Sequence, residues 1–231
     1  MHYINLSDSI ERRLSFYLAM EEYVARHIPQ DDCFTIWQVP STVIYGRHQQ
    51  LESEVNVDYC RQHNIQVFKR KSGGGCVYAD RNNLMLSLIT ADEHVGLAFN
   101  RFVSFLLLAL HRMGIEATGT SHNDILIGNR KVSGTACYHL PQRCIVHSTL
   151  LYDTNMEHML HAITPGPEKL QSKGIKSVRQ RITLLKDHTH LTLDEVKTTL
   201  RETFCPSTSS TTLQLSATDI ERIQEIEKQY L

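Results

Sequence analysis

The sequence predicts an α+β fold in which a mixed, largely antiparallel sheet is flanked by helices. A strong helical period runs over residues 95–113, where Phe99, Phe102, Val103, Leu106, Leu107 and Leu110 recur at three and four residues. Short β-rich runs at 125–127, 131–132 and 145–152 follow one another closely, the first two joined by the turn Gly128-Asn129. Strands joined by so little chain pair antiparallel, because a parallel pair needs a crossover of a dozen residues or more. The 231 residues, 41% apolar and 21% charged, are enough to bury a substantial core.

Taken in order, residues 1–6 alternate as a first strand. Ser7-Asp8-Ser9 followed by Glu11 predicts a helix start with a reciprocal cap. The helix runs to His27 on a stripe of Ile10, Leu14, Tyr17, Val24 and Ile28, with Glu21 as a polar interruption, and Pro29 ends it. Strands are expected at 33–37 and 42–46, a short helix at 55–63, and strands at 66–70, at 76–78 and at 83–90. Helices are expected at 156–163 and 193–204. A Ser/Thr-rich linker at 206–212 then precedes a last helix at 218–230. No internal repeat or composition shift divides the chain before residue 205, which predicts one domain over 1–231 with 206–231 as linker and terminal helix.

A formal charge of -1 gives no bulk electrostatic reason to expect nucleic acid or a membrane as partner. No apolar run approaches the ~20 residues of a membrane span, and the N-terminus lacks a signal-peptide layout, so a cytoplasmic location is expected. The six cysteines, at 33, 60, 76, 137, 144 and 205, include no Cys-x-x-Cys pair and fit reduced thiols. Cys137, His139, Cys144 and His147 form a cluster whose spacing is not a usual zinc pattern; small buried thiols are the preferred reading.

Lys69-Arg70-Lys71-Ser72-Gly73-Gly74-Gly75-Cys76-Val77-Tyr78-Ala79-Asp80 runs from three cations through three glycines into an apolar segment. Backbone without Cβ atoms lets a ligand approach the N–H groups, and the cations attract an anion. A flexible hairpin tip beside solvated charges is the plain alternative. A nucleotide P-loop or dinucleotide fingerprint would place a helix directly after the glycines; a strand pattern follows here, and both are excluded.

A second motif, Asn123-Asp124-Ile125-Leu126-Ile127-Gly128-Asn129-Arg130-Lys131-Val132-Ser133-Gly134-Thr135-Ala136, puts a carboxylate, a lysine and a small-residue loop on neighbouring strands. With the glycine loop, the set matches what ATP-dependent activation of a carboxylic acid requires. Backbone donors at the acyl and phosphate oxygens, a cation between carboxylate and α-phosphate, and a carboxylate for magnesium would come from Gly73-Gly75, Lys131 and Asp124.

These motifs resemble the lipoate-protein ligases, within the wider biotinyl and lipoyl ligase fold. The resemblance extends to Pro40-Ser41-Thr42-Val43-Ile44-Tyr45-Gly46-Arg47-His48-Gln49 with Glu54-Val55-Asn56. It includes His147-Ser148-Thr149-Leu150-Leu151 and Lys173-Gly174-Ile175-Lys176-Ser177-Val178-Arg179-Gln180-Arg181-Ile182-Thr183, all in the family's order. It implies a class II synthetase-like catalytic domain that joins lipoate or octanoate to ATP as an acyl-adenylate and passes the acyl group to a lysine. By the family's pattern Lys131 is the catalytic residue. Arg70 and the N–H groups of Gly74, Gly75, Cys76 and Val77 flank the phosphate and acyl carbonyl, with Ser72 and Gly73 also in the substrate and adenylate site. Asn123 and Asp124 face phosphate and magnesium, Tyr78 and His147 line the pocket, and Asn83, Ser133, Gly134, Thr135 and Ala136 complete the adenylate site. ATP and Mg2+ are the implied cofactors and lipoate the substrate. The implied partners are lipoyl-acceptor domains of 2-oxoacid dehydrogenase complexes or the glycine cleavage H protein.

The chain departs from the family pattern at three positions. Ala79 replaces a His, Ser148 the Gly of His-Gly-Thr-Leu-Leu, and Leu184 an Asn. The family's C-terminal accessory domain is also expected to be missing; some relatives supply it as a separate chain, and others, the lipoyltransferases, only transfer from preformed lipoyl-AMP, which is an alternative for this chain. A thiol-based acyl transferase using Cys76 or Cys137 is the alternative enzyme, since the loop that holds the thiol in carrier-dependent relatives, Thr164-Pro165-Gly166-Pro167, has no cysteine. A non-catalytic lipoate-binding protein is the third reading.

Overall fold

The computed structural model describes residues 1–8, 10–28, 31–91, 94–120, 124–164 and 181–231. An eight-stranded sheet has the order β11-β1-β2-β6-β10-β9-β8-β7. Its strands are β1 (His2–Leu6), β2 (Cys33–Trp37), β6 (Asn83–Thr90), β7 (Ala117–Gly119), β8 (Asp124–Ile127), β9 (Arg130–Leu140), β10 (Arg143–Leu151) and β11 (Thr211–Leu215). The β11-β1 and β1-β2 pairs are parallel and the rest antiparallel. A second sheet, β4-β3-β5, is formed by β3 (Thr42–Tyr45), β4 (Gln66–Lys69) and β5 (Val77–Ala79).

Strand alternation divides the core. On β6, Leu84, Leu86 and Leu88 point to one face, where they meet α4 (Val95–Arg112) and α6 (Leu193–Phe204). Met85 and Ile89 point to the other, against α1 (Leu14–His27) and α7 (Ala217–Glu227). A third cluster packs the small sheet on α3 (Val57–Gln62) and α5 (Met156–Ala162); α2 (Leu51–Glu54) leads into it. The α4 helix is long and apolar enough to cross a membrane, yet its Ala98, Phe102, Leu106, Ala109 and Leu110 lie in the core while Leu97 and Leu108 are exposed.

Most expected elements form within one or two residues, and three differ. The first helix starts at Leu14 with Arg13 as N-cap and no side-chain cap. Asp8 is instead drawn to the Arg12 guanidinium at 2.6 Å and Glu11 to Arg81, so neither reaches a helix N–H; Ile10 is exposed. Every residue of α1 from Leu14 to Ala25 is buried, so this is a core helix and not a one-sided stripe. The 206–212 stretch leads into a strand: β11 pairs along the whole of β1, and α7 docks on α1 through Glu227, which accepts from Arg13 at 2.9 Å and Ser15 at 2.6 Å. Finally, Ser133 to Ala136 is the middle of β9, not a loop; small residues there serve close packing across strands.

Candidate active site

A cavity of about 890 Å³ opens between the α1 face of the large sheet and the small sheet. Leu14 and Leu18 of α1, with Trp37, Ile44 and Met85, form an apolar arm. At the other end stand Lys131, Asp124 and Arg181, and the glycine loop, at Gly74 and Gly75, borders the space between them. Strand order sets the two parts side by side on one wall: Trp37 and Met85 stand on β2 and β6, Lys131 and Asp124 on β9 and β8, with β10 between them.

Lys131 reaches this face through a bulge. Along β8 and β9, Ile125 pairs with Ser133 but Leu126 with Lys131, so Val132 is one extra residue. Lys131 is three positions from Gly134, an odd spacing that would put the two on opposite faces of a regular strand, and the extra residue shifts the alternation by one. The Lys131 side chain therefore lies over Gly134. A Cβ on Gly134 would come within 2.7 Å of Lys131 Cε, so only glycine leaves the space this side chain occupies. Lys131 Nζ is 2.7 Å from Asp124 Oδ1, and Arg181 donates to Asp124 Oδ2. The 181–183 segment is held there by Thr183 N–H donating to Lys131 O at 2.9 Å. Burial pushes the Lys131 pKa down; Asp124 pulls it back up, and Arg181 and Arg70 push it down again. Three cations (Lys131, Arg181 and Arg70) thus face two carboxylates (Asp124 and Glu54) along the cavity wall, an environment that favours an anionic ligand.

The glycine loop is built from within. Arg70 Nη2 donates to Gly73 O and Gly75 O, both at 2.7 Å, and Nη1 to Ile44 O at 3.1 Å. Its guanidinium therefore shapes the loop, where a place flanking the phosphate was expected, because a buried guanidinium needs acceptors and the loop carbonyls supply them. Burial brings the Arg70 pKa down to about 10, so it remains charged at neutral pH. With the Gly73 and Gly75 carbonyls occupied, the loop still offers its amides and the Gly74 carbonyl. Only Gly74 needs to be glycine for its backbone, at φ 92°.

Cys76, Val77, Tyr78, Thr135, Ala136 and His147 also line the cavity. The Thr135 hydroxyl is buried without a hydrogen-bond partner. Four expected residues stand behind the wall. Ser72 Oγ is 2.7 Å from His147 Nε2, Gly73 turns its carbonyl to Arg70, and Ser133 Oγ is 2.7 Å from Ser148 Oγ. Asn83, fully buried, donates weakly to Tyr78 O at 3.5 Å and accepts from Thr154, so it holds the β5–β6 connection. Asn123 and residues 165–180 lie outside the described residues. Ser148 is absorbed by its bond to Ser133, and Ala79, fully buried, joins the core beside α1.

Among the described residues, the side chains do not form a magnesium site. Both Asp124 oxygens are engaged by Lys131 and Arg181, and among the described residues no three metal-binding side chains cluster. A magnesium ion arriving with a nucleotide would be held by its phosphates. The zinc cluster also fails: Cys144 lies on the α4 face of β10, whereas His147 is on the α1 face, paired in register with Ser87. Burial and the neighbouring Cys144 push the Cys137 thiol up to about 12, which keeps it protonated and unreactive.

Sequence reasoning missed Glu21. It is 2% exposed, and its Oε2 is 3.0 Å from His147 Nδ1 while Oε1 accepts from Ser87 Oγ. The signal was present as a lone carboxylate inside an apolar helix, since such a group is buried only when it has partners. Arg181 was visible only as part of a motif.

The family model of the lipoyl protein ligase A/B catalytic domain matches residues 14–205. The chain belongs to this family. A lipoate–protein ligase 1 of Staphylococcus aureus is 36% identical over 216 residues, 90% of this chain. The chain spans 65% of that relative's length and 54% of a Bacillus subtilis ligase's. Two solved structures share the fold. A bi-partite lipoate protein ligase from Thermoplasma acidophilum, studied with its E2 lipoyl domain, has a TM-score of 0.84 at 22% identity, covering 98% of this chain and 91% of its own. A lipoate-protein ligase A bound with ATP has a TM-score of 0.81 at 19% identity, covering 98% and 94%. The catalytic-domain match includes the cavity, the glycine loop and the Lys131 bulge.

Proposed function

We propose that this family member is a lipoate–protein ligase. It joins lipoate or octanoate to ATP as an acyl-adenylate and then transfers the acyl group to a lysine of a lipoyl-acceptor domain. The observation that carries the reading is the single cavity with an apolar arm at one end and Lys131, Arg181 and Asp124 at the other. An acyl chain would fill the arm and bring its carboxylate to the glycine loop, beside the cationic end where the α-phosphate would sit.

In the first step a carboxylate oxygen bonds to the α-phosphorus as pyrophosphate leaves. Both reacting groups are anionic, and Lys131, a compact charge in a largely dry site, offsets their repulsion while the loop amides take up charge on the acyl oxygen. In the second step the acceptor amine attacks the acyl carbon and AMP leaves. Lys131 is then opposite the developing negative charge, and Asp124, locked between Lys131 and Arg181, fixes the ammonium in place.

The Staphylococcus and Bacillus relatives named as ligases support the activity, and the ATP-bound structure supports the nucleotide. The Thermoplasma ligase, studied with its E2 lipoyl domain, supports a lipoyl domain as acceptor, and the acceptors proposed are those of 2-oxoacid dehydrogenase complexes or the glycine cleavage H protein. We place the reaction in the cytoplasm and treat residues 1–231 as one catalytic domain. The test supplies a lipoyl domain with either lipoate plus ATP or preformed lipoyl-AMP. Lipoylation from both supports the ligase. Lipoylation from lipoyl-AMP alone assigns activation to a separate accessory chain, as in a bi-partite ligase. Transfer without ATP or adenylate contradicts the reading.

A further inference from the structure

The two residues that open the glycine loop, Lys71 and Ser72, are each tied to α1, and by adjacent residues of it. Glu22 Oε2 accepts from Lys71 Nζ at 2.7 Å. Glu21 Oε2 is 3.0 Å from His147 Nδ1, and His147 Nε2 is 2.7 Å from Ser72 Oγ. Consecutive helix residues point about 100° apart, so both cannot face one loop directly. Glu22 reaches the loop itself; Glu21 reaches it through the length of an imidazole.

Both carboxylates are nearly inaccessible, at 2% and 3% exposure, within a helix whose other buried side chains are almost all apolar. Burying a charge is unfavourable unless it is well paired. Burial pushes the Glu22 carboxyl up, but donors from Lys71, Tyr230 and Arg26 together hold it below the usual range. Tyr230, in the C-terminal turn at Lys228–Tyr230, donates to the same Glu22 oxygen at 2.8 Å, and Lys71 Nζ lies 4.3 Å from the Tyr230 ring centroid. Glu21 also accepts from Ser87, which accepts from Trp37 Nε1 at 2.8 Å; Trp37 lines the apolar arm.

We propose that Glu21 and Glu22 are positioning residues that fix the glycine loop for acyl activation, and that Tyr230 completes the clamp on Lys71. The proposal rests on the ligase reading, and the loop amides are the groups it places. Loss of a partner that orients an active-site group typically costs ~10–100-fold.

The test measures amide hydrogen exchange in residues 71–76 alongside lipoate-dependent pyrophosphate exchange. The variants are Glu22→Gln, Lys71→Met, their double, Glu21→Ala and Tyr230→Phe. For Glu22→Gln and Glu21→Ala, loop amides exchange about tenfold faster and kcat falls about tenfold. The KM for lipoate stays within about twofold, because tail affinity resides in the apolar arm. The Glu22→Gln/Lys71→Met double is no worse than Glu22→Gln alone, because the Lys71 contact is one of those that Glu22→Gln already perturbs. Tyr230→Phe removes a single hydroxyl without a cavity and gives a smaller change in the same direction, keeping the test valid if a glutamate variant folds poorly. Unchanged loop exchange in the Glu22 and Lys71 variants, or multiplying losses in the double, overturns the clamp. If the wild-type protein shows no pyrophosphate exchange, activation by this chain alone fails independently of the clamp, and hydrogen exchange decides the clamp.

Discussion

Replacing Gly134 by alanine tests the geometry of the site through one atom. The new Cβ would lie 2.7 Å from Lys131 Cε, with Nζ nearer still. Carbon atoms in contact sit about 3.5 Å apart or more, so Cε must retreat by about 0.8 Å, the difference of the two distances. The obstructing group is the end of a flexible side chain, so the fold accommodates the change by rotating Lys131. Stability then changes by less than about 1 kcal/mol. The ammonium, however, leaves its place against Asp124 Oδ1, and a misplacement of about 1 Å in a reacting site costs ~100-fold. Gly134→Ala should therefore lower kcat for lipoyl transfer about 100-fold, with a thermal midpoint near the wild-type value. A variant that transfers at the wild-type rate would show that Lys131 does not act from this position.

Three further outcomes follow from the same geometry. Gly74→Ala forces a side chain to φ 92° and brings its Cβ to 3.0 Å from Arg70 Nη2, so denaturant melts should show a loss of about 1–3 kcal/mol. Lys131→Met should abolish activity yet raise stability at pH 7 by about 1 kcal/mol, since Asp124 keeps Arg181 as partner. The sign follows from linkage. The folded Lys131 pKa is below the unfolded 10.5, so the folded state binds fewer protons between the two values, and wild-type stability rises through that window. The gain from Lys131→Met is therefore largest below the folded pKa and shrinks as pH rises through that window, which melts across alkaline pH would record. Cys137→Ser should leave transfer within about twofold of wild type, because a thiol raised to about 12 carries no nucleophilic role at neutral pH; a loss of transfer would revive the thioester alternative.

Much of the fold was legible because local pattern and tertiary position agree. The 3.6-residue period of 95–113 and the strand pattern of 83–90 survive almost to the residue as α4 and β6. What was misread depended on partners distant in sequence. Asp8 looks like a cap until Arg12 claims it, and 206–212 looks like a linker until β1 offers a free edge to residues 211–215. In the site, the glycine run and the Asp124–Lys131 pair were visible as chemistry, but the bulge at Val132 that brings them to one face was not. Strand register is fixed by both neighbours and cannot be read from one strand. Glu21 was read as an interruption because its reason for burial, His147, lies 126 residues away.

The central claim is that acyl activation takes place beside Lys131 at the cationic end of the cavity. Its most direct test is lipoate-dependent exchange of labelled pyrophosphate into ATP by wild-type protein and by Lys131→Ala and Cys76→Ser. The account predicts exchange in the wild type and in Cys76→Ser, and none in Lys131→Ala. Exchange that persists without Lys131, or is lost with Cys76, would contradict it.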